Sequence, residues 1–385
     1  MEKLSYQIIR NLPEFLKLEK KWRDLLGLCP CHTIFQTWEW IATWLDTHEE
    51  KPYIICVLTS NDELVAILPF HEVSKGIFSI LRLVGEPDSD YLDLIIKDGF
   101  ERRVLNFFFD DILEETSSIG IVEFDSIHQE SRLHSILNEK SPEGFNLSIS
   151  KKVCPYISLP KNWDEFLTSL SSSTRYSVRR KKRKAEKDFR LHIDYAKTEE
   201  EFSKRMQNFI EQHQLRWQSM DKPGAFARDS FTMFHETVGL EFFRKGWARL
   251  YYLDFDNAPV ATYYLFNYNN CLLFYLSGFD TAFAKYSPSM ILMVKAIRDA
   301  IEEGMEEFDL MRGSGDYKFK WTSSVRENRS YKFMRDSFYV RTYLLVNRII
   351  GKVARGTKYV PERLKVILRR ILPRKIVRCF DPFFR

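Results

Sequence analysis

Apolar and polar positions alternate in two rhythms along this chain, and the change between them is sharpest from Cys271 to Met311. Met290, Met293, Val294, Ile297 and Ile301 recur at three- and four-residue spacing, with Lys295, Arg298, Asp299 and Glu302 on the other side. That pattern predicts an amphipathic helix. Ser287 suits its N-cap, Pro288 its first position and Gly304 its left-handed end. Just before it, CLLFYLSGF (Cys271–Phe279) is a short aromatic-rich apolar run and predicts a buried strand. Phe308 to Met311 starts another. The order strand, loop, helix, strand places a helix N-terminus beside a strand end. The free N–H groups of its first turn, near Ser289 and Met290, suit a pyrophosphate.

The same rhythms organise the rest of the chain. The first half has a helical stretch, Leu12–Leu26, and a Trp-rich segment, FQTWEWIATWL. Its Trp38, Trp40 and Trp44 read as core. Strand-like runs follow at Tyr53–Leu58, Leu64–Phe70, Phe78–Val84, Tyr91–Ile96 and Ile121–Phe124. From Ile157 the pattern gives two helical segments and then runs at Leu191–Tyr195, Ala248–Phe255 and Val260–Tyr268. SNDELVAILPFHEV and FDNAPVATYYLFNY are alike, each a polar turn leading into a strand that opens on Val-Ala. This is read as an internal repeat of one α/β unit. The expected division is residues 1–155, 156–340 and a tail, 341–385.

Composition narrows the class. With 31 Phe, 18 Tyr and 8 Trp in 385 residues, the chain is long and apolar enough for two cored domains and is not low-complexity. MEKLSYQIIRNLPEF lacks the apolar core and cleavage site of a secretory signal. The six cysteines are scattered, so a reduced, cytoplasmic protein is expected. No uncharged apolar run reaches the roughly 20 residues of a spanning helix. The net charge of +5 is uneven: residues 341–385 hold 13 Lys and Arg against Glu362 and Asp381, a net of +11. Leu364, Ile367, Leu368, Ile371 and Leu372 share a helical face there, flanked by Arg363, Lys365, Arg369 and Arg370. Such a segment suits an anionic membrane surface, or a groove on the fold itself.

Candidate chemistry clusters in the second half. Asp309 ends a strand, where a carboxylate can orient or deprotonate an acceptor, or pair with Arg312 as a structural ion pair. Lys318 follows Gly313 and Gly315, which let the loop approach a ligand. His213, Arg216 and Trp217 share a helix face, so His213 is either an acid–base group or part of an acceptor pocket. Arg175, Arg179, Lys182 and Arg183 form a basic stripe, suited to phosphates or simply solvated. Cys29-Pro30-Cys31-His32 has no second pair at zinc spacing, so no metal is expected. The absence of a GxSxG elbow and of a P-loop favours direct transfer over a covalent enzyme intermediate.

Gly278-Phe279-Asp280, Ser287-Pro288, Gly304, Phe308-Asp309, Arg312-Gly313 and Tyr317-Lys318 resemble the GNAT-like acyltransferases of the cellulose-biosynthesis (CelD/BcsL-like) and FemAB-like type. Phe35-Gln36, Trp38-Glu39-Trp40, Trp44 and Tyr91-Leu92-Asp93 extend the resemblance to the first half. It implies tandem GNAT-like domains, each a mixed, mostly antiparallel sheet flanked by helices, with the acceptor between them. It implies an acyl-CoA donor, acetyl-CoA first, and an amine or hydroxyl acceptor on a small or lipid-linked cell-envelope or exopolysaccharide precursor. Under it, Asp309, Lys318 and His213 are catalytic, and Ser287, Ser289, Met290, Arg312 and Arg179 hold the donor. Tyr91, Asp93, Arg216, Trp217, Asp280 and Tyr317 then line the acceptor. Two other readings stay open: a FemAB-like transferase using aminoacyl-tRNA, and a membrane-associated relative without catalysis.

Overall fold

The computed structural model describes residues 4–48, 53–61, 63–75, 78–116, 118–139 and 142–356. The sequence pattern Leu364–Leu372 and its basic neighbours lie outside the described residues. The strands are β1 (Leu4–Ile9), β2 (Tyr53–Ser60), β3 (Glu63–Ser74), β4 (Ser79–Leu83), β5 (Ile95–Ile96), β6 (Ile119–Ile127), β7 (Phe145–Ser158), β8 (Leu191–Tyr195), β9 (Ala248–Phe255), β10 (Ala258–Tyr268), β11 (Cys271–Phe279), β12 (Glu307–Asp309) and β13 (Val325–Arg335). The helices are α1 (Leu12–Leu16), α2 (Glu19–Leu26), α3 (Trp38–Thr47), α4 (Glu101–Phe107), α5 (Leu113–Glu115), α6 (Leu133–Glu139), α7 (Trp163–Ser169), α8 (Ser172–Asp188), α9 (Glu199–Gln218), α10 (Asp229–Arg244), α11 (Pro288–Glu302) and α12 (Phe338–Gly356).

The chain forms two compact units, and the division is not linear. Among the described residues, one comprises 4–38, 53–151 and 329–356; the other comprises 39–48 and 152–328. The Trp-rich segment divides at this boundary. In the first unit, Trp38 stacks on Phe15 at 4.6 Å and meets Trp22 edge-on. In the second, Trp40 packs against Phe234, Phe242 and Phe266. Trp38, Trp40 and Trp44 are all core residues, as their bulk requires.

Each unit repeats one topology. In the first, β1, β2, β3 and β4 pair antiparallel in sequence order, and β6 then pairs parallel with β4. In the second, β8, β9, β10 and β11 do the same, and β12 pairs parallel with β11. A parallel pair needs a crossover; α4 and α5 supply it in the first unit and α11 in the second. The two similar sequence segments are the matching strands β3 and β10. The fold class is therefore the expected one, a mixed, mostly antiparallel sheet flanked by helices, present twice.

The strands missed in the sequence are β1, β7 and β13. VRENRSYKFMR buries only Asn328, Tyr331 and Phe333, with charged and polar residues between them, so it has no continuous apolar run. Tyr91–Ile96 shrinks to the two residues of β5, because Leu92 instead bridges to Ile127. The long helix foreseen over Leu12–Leu26 is broken at Lys17 and Leu18 into α1 and α2.

In the second unit, α11 lies on one face of the sheet. Ile291, Leu292, Ala296, Ile297 and Ala300 join Tyr251, Leu253, Tyr263 and Phe274 in its core. On the opposite face α9 comes very close to β11. A Cβ at Gly278 would lie 2.8 Å from the His213 backbone nitrogen, so only glycine fits there. Gly304 ends α11 with φ +75°, as its position in the sequence predicts.

Candidate functional site

The second unit has an opening where β11 and β12 part. Their parallel ladder covers only Cys271–Leu273 with Glu307–Asp309. Beyond it, β11 continues to Phe279 on its β10 side alone. A cavity of about 290 Å³ fills the gap, lined by Arg216, Tyr263, Phe274, Ser277, Phe279, Ala284, Ser287, Pro288, Ser289, Met290, Met293, Tyr317, Lys320 and Trp321.

Its rim is the N-terminus of α11. Ser287 takes a left-handed conformation, φ 55° and ψ 57°, and its side chain does not cap the helix. The N–H groups of Met290 and Ile291 both turn back to the Ser287 carbonyl, at 3.0 and 3.4 Å. Pro288 has no N–H, and among the described residues nothing accepts from that of Ser289. The buried Tyr263 hydroxyl fixes this turn by donating to the Ser289 carbonyl at 2.5 Å. An uncapped helix start on a cavity is an anion-binding arrangement.

The charges agree with it. The lining holds two cations, Arg216 and Lys320, and no carboxylate. The Arg216 guanidinium lies over the Phe279 ring at 5.0 Å, with Nη1 3.5 Å from Ser277 Oγ. One residue on, the Trp217 indole N–H donates to His213 Nε2 at 2.9 Å. Burial, with Arg216 nearby, pulls the His213 pKa down to about 4. His213 is therefore a neutral, buried acceptor that fixes Trp217.

The opposite wall is the loop after β12. The Met311 N–H donates to Asp309 Oδ1 at 2.6 Å, and Met311 itself has φ 62°. Lys318 is buried, and its ammonium donates to the carbonyls of Met311 and Arg312 at 3.0 and 2.7 Å. Gly313, at φ 112°, permits the reversal that brings the two ends of this loop together. The lysine thereby seats Tyr317, Lys320 and Trp321 on the cavity.

Of the residues singled out in the sequence, Ser287, Ser289, Met290, Arg216 and Tyr317 line the cavity together. Asp309, Lys318, His213, Trp217 and Arg312 are outside the lining; the first four hold the segments that carry it, and Arg312 contributes its carbonyl to Lys318. Asp280 caps the turn before α11 by accepting from the Ala282 N–H at 2.9 Å. Arg179 is exposed on α8. Asp309 also approaches Arg326 at 4.0 Å, and Arg326 pairs with Glu307. Cys271, Glu307 and Asp309 bring ligand atoms within 4.8 Å of one another, but the Arg326 guanidinium already supplies their counter-charge. Sequence reading missed the cavity roles of Tyr263, Phe274, Ser277, Lys320 and Trp321. The alternation of β11 links Ser277 with Phe279, but only the parting of β11 and β12 gives that face an empty space.

Tyr91 and Asp93 belong to the first unit. The Tyr91 ring is buried edge-on against Phe35 and His128, and its carbonyl accepts from Gln36 Nε2 at 2.7 Å. Asp93 Oδ1 accepts from the Leu94 N–H at 2.8 Å, and burial pushes its pKa up to about 7. Here the segment after β4 bridges to β6 through Leu92 and pairs with β3 through β5, filling the crossover region with protein.

Residues 172–319 match the family model of an acetyltransferase (GNAT) domain. The matched span begins at α8 and ends within the loop that closes the cavity. No curated protein matches the sequence. Among solved structures the chain is similar to FemX, with 10% identity and a TM-score of 0.57, covering 88% of this chain and 99% of that one. It is similar to a conserved protein of unknown function from Bacteroides thetaiotaomicron, with 11% identity and a TM-score of 0.51, over 86% and 100% of the two chains. The C-terminal domain of a putative lysylphosphatidylglycerol synthetase from Agrobacterium fabrum gives 12% identity and a TM-score of 0.51, over 88% and 97%. At these identities the likeness is one of fold.

Proposed function

We propose that the chain transfers an acyl group from acyl-coenzyme A, acetyl-CoA first, to an amine or hydroxyl of a cell-envelope or exopolysaccharide precursor. The observation that carries this reading is the cavity at the start of α11, with an uncapped helix N-terminus, two cations and no carboxylate. A pyrophosphate would accept from the Ser289 N–H and gain from the helix dipole. Arg216 and Lys320 would balance its charge. Phe274, Met290, Met293 and Trp321 offer an apolar channel for an uncharged arm and acyl group, and the two methionines adapt to its shape. The β11 edge beyond Leu273 offers backbone N–H groups to a developing oxyanion.

The acceptor's proton has few destinations within the cavity. Ser277, Ser287, Ser289, Tyr263 and Tyr317 carry its hydroxyls, none of them a base at neutral pH, and that of Tyr263 is spent on the Ser289 carbonyl. His213 is held by Trp217 with a depressed pKa, and Asp309 is committed to Met311 and Arg326. We therefore assign His213, Asp309 and Lys318 to positioning. The proton leaves through solvent or with the departing thiolate in a ternary complex.

A second reading, transfer from aminoacyl-tRNA, draws on the basic face of α8. Lys181 on that helix donates to the Lys285 carbonyl at 3.1 Å, and Arg180, Lys184 and Lys320 hold its pKa down after desolvation. Such a patch suits a polyphosphate. Against it, an aminoacyl donor brings an α-ammonium, and the cavity lining has cations and no carboxylate to receive it. Titration calorimetry with acetyl-CoA, a longer acyl-CoA and aminoacyl-tRNA decides between them. The proposal expects saturable acyl-CoA binding and a higher melting temperature. Binding of aminoacyl-tRNA alone overturns it.

A further inference from the structure

We propose that the outward face of α12 docks the protein on an anionic lipid surface. Val340 and Val346 are buried, and Tyr343 packs edge-on against Phe78 at 5.3 Å. These three residues lie on one side of the helix at its 3.6-residue period. Phe338 and Leu345, seven residues apart, occupy the opposite side and are 65% and 58% exposed. A helix packed on a soluble domain keeps polar residues there. Arg341 and Arg348 run along one flank of this apolar stripe. Arg341 pairs with Asp336 at the start of the helix, whereas Arg348 is exposed.

Charge selects the occupant. Apolar residues bordered by arginines match the boundary between acyl chains and anionic headgroups. In sequence, the helix leads into the strongly basic C-terminal residues, which favour the same surface. No helix among the described residues is long and apolar enough to cross a membrane, so the contact proposed is with the interface. It rests on the sidedness of α12 and stands whether or not the donor is acyl-CoA. If the acceptor is lipid-linked, docking would place enzyme and acceptor on one surface.

The test is co-sedimentation of the full chain with neutral phosphatidylcholine vesicles and with vesicles containing phosphatidylglycerol, at low and high salt. Binding to the anionic vesicles alone, weakened by salt, is expected. Phe338→Ser with Leu345→Ser should reduce it at least about tenfold, and Arg348→Ala about fivefold. Both variants should keep the wild-type melting temperature and donor affinity, because these side chains face solvent. Failure of the wild type to pellet with anionic vesicles overturns the proposal. So does unchanged binding of the Phe338/Leu345 variant, which would locate the contact in other residues. Capture on immobilised heparin without vesicle binding would assign the charges to soluble polyanions and also overturn it.

Discussion

The Lys318 ammonium reaches back seven residues to donate to the Met311 carbonyl at 3.0 Å. A second bond, to Arg312, closes the loop. The lysine lies behind the cavity wall, with its charge consumed by backbone carbonyls. Its expected contribution is to hold Tyr317, Lys320 and Trp321 in place.

Lys318→Met should leave two carbonyls unpaired and cost about 1–3 kcal/mol of stability. Donor affinity should fall with it, because the wall it supports carries Lys320. Urea unfolding and calorimetry on the same preparation check both effects. A stable variant with intact donor binding would remove Lys318 from the support of the site.

Ser289→Glu should weaken donor binding about tenfold through like-charge repulsion of ~1–2 kcal/mol in a half-open site. The helix should tolerate it, since an acidic residue in the first turn is favourable to the dipole. Calorimetry alongside a melting curve separates the two. Unchanged affinity would move the donor's phosphates away from α11.

Acid should destabilise the second unit through His213. Its folded pKa of about 4 lies below the ordinary histidine value of 6.5, so below pH 6.5 the unfolded chain binds the proton more readily. The stability is fully present above pH 6.5 and is lost as the pH falls to about 4, by up to ~3 kcal/mol. Urea unfolding at pH 7.5 and 4.5 should show a smaller difference for His213→Gln than for the wild type. Between pH 6 and 8 the pH profile of transfer should be the same in both, because His213 stays neutral there.

Asp93 works in the opposite direction. Burial raises its pKa to about 7 from an ordinary value near 3.8, so its stability is fully present below pH 4 and is lost as the pH rises to 7. Asp93→Asn keeps an acceptor for the Leu94 N–H and removes the buried charge. It should be more stable than the wild type at pH 8, by about a few kcal/mol at most, and melt higher, with the advantage vanishing towards pH 4. Equal melting temperatures at pH 8 would show that the carboxylate is solvated.

The chain's local pattern was enough to specify the crossover at the heart of the site. The spacing from Met290 to Ile301, Pro288 at the first position and Gly304 at the end fix α11, because helix periodicity and capping are properties of neighbouring residues. The repeated α/β unit was legible for the same reason, in the likeness of β3 and β10. Local pattern could not decide which polar side chains meet. Arg216 and Lys320 line one cavity from elements a hundred residues apart, while Lys318, two residues from Lys320, turns inward to its own loop. Nor could it show that residues 39–48 and 329 onward exchange between the units, or that β13, with its many charges, is a strand. Those outcomes depend on long-range packing: where β11 and β12 part, what fills the gap, and which backbone groups still need a partner.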